Sequence, residues 1–426
     1  MVSAARSELE AHSSITHNPG RRALLTRSAA AAAGLAGAGL AGADMLPVPS
    51  SNKTPGRPIP ETEYGMPSKY EAHVKRVRTN VFVNKQNFSD WSFTPLHQQL
   101  GTVTPNGLIY ERHHNGVPDI NPDQHRFAIH GMVKRPLVFT MADLMKYPSV
   151  SRFHFMECSG NGLTDWLKPM ARTVQQTHGL LSCAQWTGIP LSTLLDEAGV
   201  QPGATWALAE GADGSAHARS IPMQKMLDDA LLVYASNGEM LRPENGYPLR
   251  LFIPGWEGNV SIKWLRRIKL GDQPWHLRSE TARYTDPMPD GKWRQFSFDM
   301  EAKSVITSPS GEMTVRPGPV EIVGFAWSGN GKIRAVDVTV DGGRTWREAT
   351  LEEPVLDKCL ARFRLKWQWD GSPTSIASRA VDSTGYVQPT VEDIQKVRAI
   401  VGFVQHHNGV FPWSINAAGE VKNAIA

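Results

Sequence analysis

The chain has 426 residues, 41% hydrophobic and 20% charged, a balance that supports packed domains and excludes a largely disordered protein. Its 45 basic and 41 acidic residues leave a formal charge of +4 without the basic stripe nucleic acid requires, so a small molecule or a protein is the better partner. Three cysteines, Cys158, Cys183 and Cys359, exclude a disulfide framework and lack metal-type pair spacing, leaving open one Cys183–Cys359 bridge in an oxidising compartment.

In chain order, residues 1–43 read as a targeting segment. Arg21-Arg22 precede an Ala/Gly/Leu stretch from Ser28 to Ala43 that ends in Ala41-Gly42-Ala43 and falls short of the ~20 apolar residues that span a bilayer. The segment predicts export to the periplasm by a twin-arginine signal, with no membrane span. The competing reading is an Ala-rich tail. Residues 44–79, with Leu46-Pro47-Val48-Pro49 and Arg57-Pro58-Ile59-Pro60, predict an extended Pro-rich arm.

Residues 80–298 predict an α+β domain. Strand candidates at Phe127–Gly131 and Leu249–Ile253 alternate with helical stretches at Leu191–Ala198 and Met223–Leu232. Their irregular spacing disfavours a doubly wound parallel sheet. Within this region Phe153, Phe155 and Cys158 alternate along a strand that runs into Ser159-Gly160-Asn161-Gly162, placing a thiol at the tip of a turn. On chemistry alone that thiol is either a core cysteine or a group that reaches a ligand.

Residues 299–426 predict an antiparallel β-sandwich of immunoglobulin-like type. Strand-like runs at Val320–Trp327, Ile333–Val340, Arg362–Trp367 and Ile376–Asp382 are punctuated by turns such as Asp341-Gly342-Gly343-Arg344. His-His-Asn-Gly-Val occurs at 113–117 and 406–410 with unrelated flanks, a coincidence rather than a repeat. His406 and His407 read as surface polar residues. No Cys-x-x-Cys-His occurs, so no covalently attached c-type haem is expected in this chain.

Glu157-Cys158-Ser159-Gly160-Asn161, Ala184–Gly188, Ser220-Ile221-Pro222, Gly246–Arg250, Ile262–Leu265 and Asp341–Trp346 together resemble, in order, segments of the sulfite oxidase family. The resemblance covers most of residues 100–400. It implies a sulfite-oxidase-type molybdopterin-binding domain followed by an immunoglobulin-like dimerisation domain, hence a homodimer, with a molybdenum–molybdopterin cofactor whose protein ligand is Cys158. A soft thiolate suits a metal that cycles between oxidation states.

By the same resemblance, Arg112, His113 and His114 contact the pterin, with Arg112 at the metal and His113 where asparagine is usual. Asp213 is an acidic contact. Arg250, Ser261, Ile262 and Lys263 hold the phosphate end, and Asn245 stands where a histidine is usual. An arginine and a lysine near one phosphate make electrostatic sense, one through bidentate hydrogen bonds and one as a point charge. Tyr284 would stand near the metal as a hydrogen-bond donor or proton relay. Arg364 would reach the substrate pocket from the sandwich, with Arg362 on the same strand face as the competing choice. Without the resemblance, these residues read as a polar turn, strand-end charges and an interface aromatic.

Gly162 departs from the family pattern, because sulfite oxidases carry an arginine after this asparagine. Less charge and more room suit a bulkier substrate. The expected activity is molybdenum-dependent oxidation of the sulfane sulfur of a carrier-protein-bound cysteine persulfide or thiosulfonate in thiosulfate oxidation, with electrons passed to a c-type cytochrome. The alternatives are a sulfite dehydrogenase acting on free sulfite, a reductase of oxidised methionine from the same family, and a cofactor-free protein that binds through its sandwich.

Overall fold

The computed structural model describes residues 67–78, 89–163, 171–398 and 405–425, with 53, 55 and 65. The targeting segment and most of the Pro-rich arm lie outside the described residues. Residues 68–426 pack as one compact unit. No helix among the described residues is long and apolar enough to cross a membrane.

Two five-stranded sheets build the first half. One runs in the order Leu137–Phe139, Phe127–Gly131, Leu265–Gly271, Trp206–Gly211, Ala218–Pro222. Its pairings are antiparallel except where Phe127–Gly131 lies parallel to Leu265–Gly271, so the expectation of an α+β domain holds. Helix Leu191–Ala198 buries Leu191, Leu194, Leu195 and Ala198, one apolar stripe at helical spacing. It ends where Gly199 turns left-handed at φ 69°, a conformation that favours glycine.

The second sheet carries the thiol. It runs Glu239–Met240, Leu231–Ser236, Leu181–Pro190, Val150–Glu157, with Arg250–Phe252 pairing onto Leu231–Ser236. The expected Met223–Leu232 helix stops at Asp228, because Leu231 and Leu232 enter that strand and pair with both Leu181–Pro190 and Arg250–Phe252. Two ladders of backbone hydrogen bonds override local helix propensity. Alternation along Val150–Glu157 is also corrected. Phe153 is 36% exposed, whereas Phe155, Met156, Glu157 and Cys158 are all buried. The strand end is covered on both faces, Phe155 joining the core of the second half while Met156 and Cys158 pack in the cluster of Trp186 and Phe252.

The second half is the expected sandwich. Lys303–Ser308, Gly318–Trp327, Ala361–Trp369 and Thr350–Glu352 form one sheet. Arg347–Glu348, Ile333–Thr339, Thr374–Asp382, Trp413–Ile415 and Val421–Asn423 form the other. Its core includes Trp327, Val336, Phe363 and Trp369 and is continuous with Leu96, Phe155, Leu181 and Cys183 of the first half. Cys183 and Cys359 meet across this junction as buried free thiols with their sulfurs 3.3 Å apart, so the bridge left open by the sequence is not formed.

His406 and His407 correct the surface reading, being 3% and 1% exposed. Their segment is pressed against the first half. The His406 N–H donates to the Ser159 carbonyl at 2.8 Å, and the ring of His407 lies against Gly162. Burial, reinforced by the nearby Lys303 cation, pushes the His407 imidazole down to about 3 and His178 well below its ordinary value.

An unfolded imidazole takes up a proton near pH 6.5 and these folded ones do not, so stability is lost as pH falls below about 6.5. Urea unfolding between pH 6.5 and 5, above the range where carboxylates titrate, should show stability falling by up to about 1.4 kcal/mol per pH unit per imidazole. His407→Gln should flatten that slope.

Candidate active site

Cys158 sits one residue beyond the Val150–Glu157 strand. Its N–H donates to the Leu180 carbonyl at 3.0 Å, and its own carbonyl accepts from Asn161 N–H at 2.9 Å, closing the turn. Gly162 has φ +85°, and a Cβ there would lie 3.3 Å from His407 Cβ, so both backbone conformation and space require glycine. The thiol borders two cavities. Burial pushes its pKa up.

The first cavity is lined chiefly by polar and charged residues, with about 640 Å³ of unfilled space counting its mouth. Arg112, His113, His114, Asp213, Asn245, Arg250, Ser261 and Lys263 line it, so segments far apart in the chain converge. Lys263 Nζ donates to the carbonyls of Arg112 and Glu244, each at 3.1 Å, and to His113 Nδ1 at 2.8 Å. That bond makes Nδ1 the acceptor, leaving His113 Nε2–H to donate to Glu111 at 2.7 Å. Arg250 donates to the Asn245 carbonyl at 3.0 Å and to the Met156 sulfur, with its Nε unpartnered. Arg112 donates to the His113 carbonyl and lies over the Trp91 ring. Asp213 accepts from Ser215 Oγ and from His217 N–H, and Ser261 Oγ accepts from Ile253 N–H at 3.0 Å.

Arg112, Arg250 and Lys263 thus spend their donors on carbonyls, an imidazole and a thioether, and none is ion-paired among the described residues. Burial lowers the Arg250 pKa to about 10 and that of Lys263 well below its usual range. Desolvated cations without a counter-ion are costly, and an anion in the cavity would relieve the cost.

The second cavity is larger and mainly apolar, about 1220 Å³ counting its mouth, with Trp91, Phe93, Leu163 and Leu180 beside Cys158. Arg112, His114 and Tyr284 line both cavities. Arg283 Nη1 lies 3.2 Å from His114 Nδ1; since a guanidinium only donates, Nδ1 accepts and Nε2 carries the proton. His114 Nε2 therefore donates to the Tyr284 oxygen at 2.9 Å, leaving the phenol hydrogen free for the cavity. Burial and the neighbouring Arg112 push the His114 pKa down to about 2, and burial pushes Tyr284 up to about 12. Both are neutral near pH 7.

Behind Tyr284, Arg219 lies with its guanidinium 5.2 Å from the ring and donates to Glu257 at 3.0 Å. Glu257 also meets His406 Nε2 at 3.2 Å. Burial opposes ionisation of Glu257, but Arg219, His406 and Asn259 outweigh it and hold the pKa at about 2.

Two sequence expectations fail. Arg364 lies outside the cavities, pinned by Glu321 at 2.7 Å and by Glu352 on its own sheet, and Arg362 faces Glu352 as well. The group the second half does send into the larger cavity is Gln405, whose Oε1 accepts from Ser159 Oγ at 3.0 Å. Ile262 points into the apolar core of the first half, and its carbonyl accepts from Leu251 N–H at 2.9 Å. Between Ser261 and Lys263 it faces the other way. The sequence reading also missed Tyr110, His217, Asn259 and Arg283. His217, four residues after Asp213, had a local signal; Gln405 had none, since only docking of the two halves brings it near Cys158.

The chain matches the model of the oxidoreductase molybdopterin binding domain over residues 114–278 and that of the Mo-co oxidoreductase dimerisation domain over residues 294–411. It is 31% identical to rat mitochondrial sulfite oxidase, covering 71% of this chain and 60% of that one. With chicken sulfite oxidase the figures are 30%, 71% and 72%. The chain thus spans about three fifths of the length of the mammalian relatives it matches. The crystal structure of the sulfane dehydrogenase SoxCD from Paracoccus pantotrophus aligns with a TM-score of 0.85 and 44% identity, covering 89% of this chain and 97% of that one.

One buried thiol that borders the cavity and three cations without ion pairs among the described residues fit a phosphorylated pterin that brings its own sulfur ligands. No cluster of three or more His, Cys, Asp or Glu side chains suited to a metal ion occurs among the described residues. Arg250→Met should lower cofactor affinity roughly ten- to a hundredfold, as loss of a charge-assisted hydrogen bond of about 1.5–3 kcal/mol implies. It should leave the melting temperature of the cofactor-free protein unchanged or higher, because an uncompensated buried charge has been removed. Pterin content and calorimetry check the two halves of this expectation.

Proposed function

The chain belongs to the sulfite oxidase family of molybdopterin oxidoreductases, and from that premise we propose that it oxidises the sulfane sulfur of a cysteine persulfide or thiosulfonate borne on a carrier protein. The carrying observation is the pairing of cavities at Cys158. A cationic one suits a phosphorylated pterin, and a roomier apolar one suits a substrate larger than free sulfite. Gly162 contributes neither charge nor bulk to the second cavity. Electrons would pass to a c-type cytochrome, the sandwich would form the homodimer, and the paired arginines near the N-terminus would direct export to the periplasm. The aligned sulfane dehydrogenase supports this choice over other members of the family.

When bound, the molybdenum–pterin group supplies two-electron oxidation with an oxygen atom drawn from water. The chain's own residues do the rest. Cys158 would anchor the metal, and Arg250 and Lys263 would neutralise the phosphate; Lys263 also ties Arg112 and His113 to the Glu244 carbonyl. Arg112 and the free phenol hydrogen of Tyr284 face the space beside Cys158, where they stabilise negative charge growing on the sulfur's oxygens. Tyr284 is hydrogen-bonded to His114, whose ring also borders a third, solvent-facing cavity with Ser215, Arg278 and Arg283. Trp91, Phe93 and Leu180 dry the approach and strengthen these interactions.

Purified protein loaded with cofactor should turn over carrier-bound sulfane sulfur with a higher kcat/KM than free sulfite; the reverse preference would make it a sulfite dehydrogenase. Cys158→Ser should lose molybdenum and activity together, and full turnover with full metal content would refute the ligand assignment. Tyr284→Phe should lower kcat by about a hundredfold, the scale of a lost preorganised hydrogen-bond donor to developing charge, with a smaller change in KM.

A further inference from the structure

Lys303 belongs to the first strand of the sandwich, yet its ammonium ends inside the other half. It is 1% exposed, and Glu157, immediately before Cys158, is 0% exposed. Lys303 Nζ donates to Glu157 Oε1 at 3.0 Å and to the Asn161 carbonyl at 3.0 Å. Asn161 Nδ2 donates to the same Glu157 oxygen at 2.9 Å. Trp327, on the adjoining sandwich strand, donates from Nε1 to Glu157 Oε2 at 2.6 Å. Asn161 Oδ1 accepts from Leu180 N–H at 3.1 Å, beside the carbonyl that holds Cys158 N–H.

One buried cation therefore grips both ends of the five-residue turn that presents Cys158, and each oxygen of the Glu157 carboxylate has at least one donor. None of these side chains lines either cavity apart from Asn161, so substrate binding does not explain the cluster. A buried carboxylate is an expensive way to fill space, and a Glu–Lys pair is often no more stabilising than apolar residues of equal volume. What it supplies is direction, since hydrogen bonds of fixed length allow the turn one geometry, whereas apolar contacts tolerate several.

We infer that Lys303 is a positioning residue for the metal-ligating thiolate: with Trp327 it clamps Glu157 and Asn161, so that docking of the sandwich sets the direction of the Cys158 sulfur. This inference rests on the reading of Cys158 as the ligand. The sandwich is then a component of the metal site in its own protomer, in addition to any role between protomers.

The test uses the full chain with and without cofactor. Because Lys303→Met risks misfolding, Trp327→Phe is made beside it, which keeps an aromatic ring in the core while removing the indole donor to Glu157 together with some buried ring volume. Val336→Ala, in the sandwich core away from the turn, controls for general loosening. In the cofactor-free protein, both clamp variants should speed amide hydrogen exchange at Cys158 and Asn161 about tenfold or more, while Val336→Ala leaves those amides as in the wild type. In loaded protein, the clamp variants should displace the sulfur-to-molybdenum charge-transfer band and lose metal roughly 10- to 100-fold faster, the usual scale for groups that orient a ligand. Lys303→Arg should recover part of both. Unchanged exchange and band in the clamp variants would overturn the inference, as would equal changes in Val336→Ala. Absence of any thiolate-to-metal band in the wild type would instead overturn the ligand assignment beneath it.

Discussion

Positive charge held largely out of water with no direct ion pair among the described residues organises this site. Arg112, Arg250 and Lys263 converge on one cavity, and the fold supports them with whatever weak acceptors are at hand. The Trp91, Trp186 and Trp264 rings lie near the three cations, and backbone carbonyls take the hydrogen bonds. Aromatic faces and carbonyl dipoles soften desolvation without cancelling the charge. A protein shaped only for stability would pair these cations directly, yet Asp213 and Glu244, which also line the cavity, form no salt bridge with them. This one leaves the field for a ligand, and the local cost must be met by the large apolar cores on either side.

Those cores are joined rather than tethered. Phe155, Leu181 and Cys183 of the first half share a cluster with Trp327, Phe363 and Trp369 of the sandwich, and the Phe155 N–H donates to the Lys358 carbonyl across the seam at 3.0 Å. This continuity brings Gln405, His406 and His407 into the interior. It also converts polar side chains that would be solvated on an isolated sandwich into parts of the active-site wall. Arg364 shows the converse. An arginine on the right domain and strand is neutralised by Glu321 and Glu352 on its own sheet and has no reason to reach further.

Neutral imidazoles give the site its acid–base character. His114, held uncharged by burial and by the cations around it, fixes the Tyr284 hydroxyl as a donor toward the thiol side. Glu257 stays ionised behind the same tyrosine because Arg219 and His406 surround it. Proton-bearing groups thus sit between the cavity beside Cys158 and the solvent-facing one, and fixed charges sit behind them. That separation leaves the anion-binding cations on one side of the site and neutral imidazole and phenol on the other.

Arg112, His113, His114, Asp213, Asn245, Arg250, Ser261, Lys263 and Tyr284 were legible only through the ordered resemblance to the sulfite oxidase family, whereas composition and turn chemistry by themselves determined the order of α+β region and sandwich and a thiol at a strand tip. These are local features, because a glycine-rich turn or an alternating strand is encoded within a few residues. Tertiary structure alone decided that Phe155 through Cys158 are buried in succession, that Leu231 leaves a helix for a strand, that Ile262 turns away from the cavity, and that Gln405 rather than Arg364 enters it. Each depends on a partner segment outside the local run of residues, Pro190 and Phe252 for Leu231 and the docked second half for Phe155 and Gln405. No local pattern records which of two arginines will find a carboxylate first.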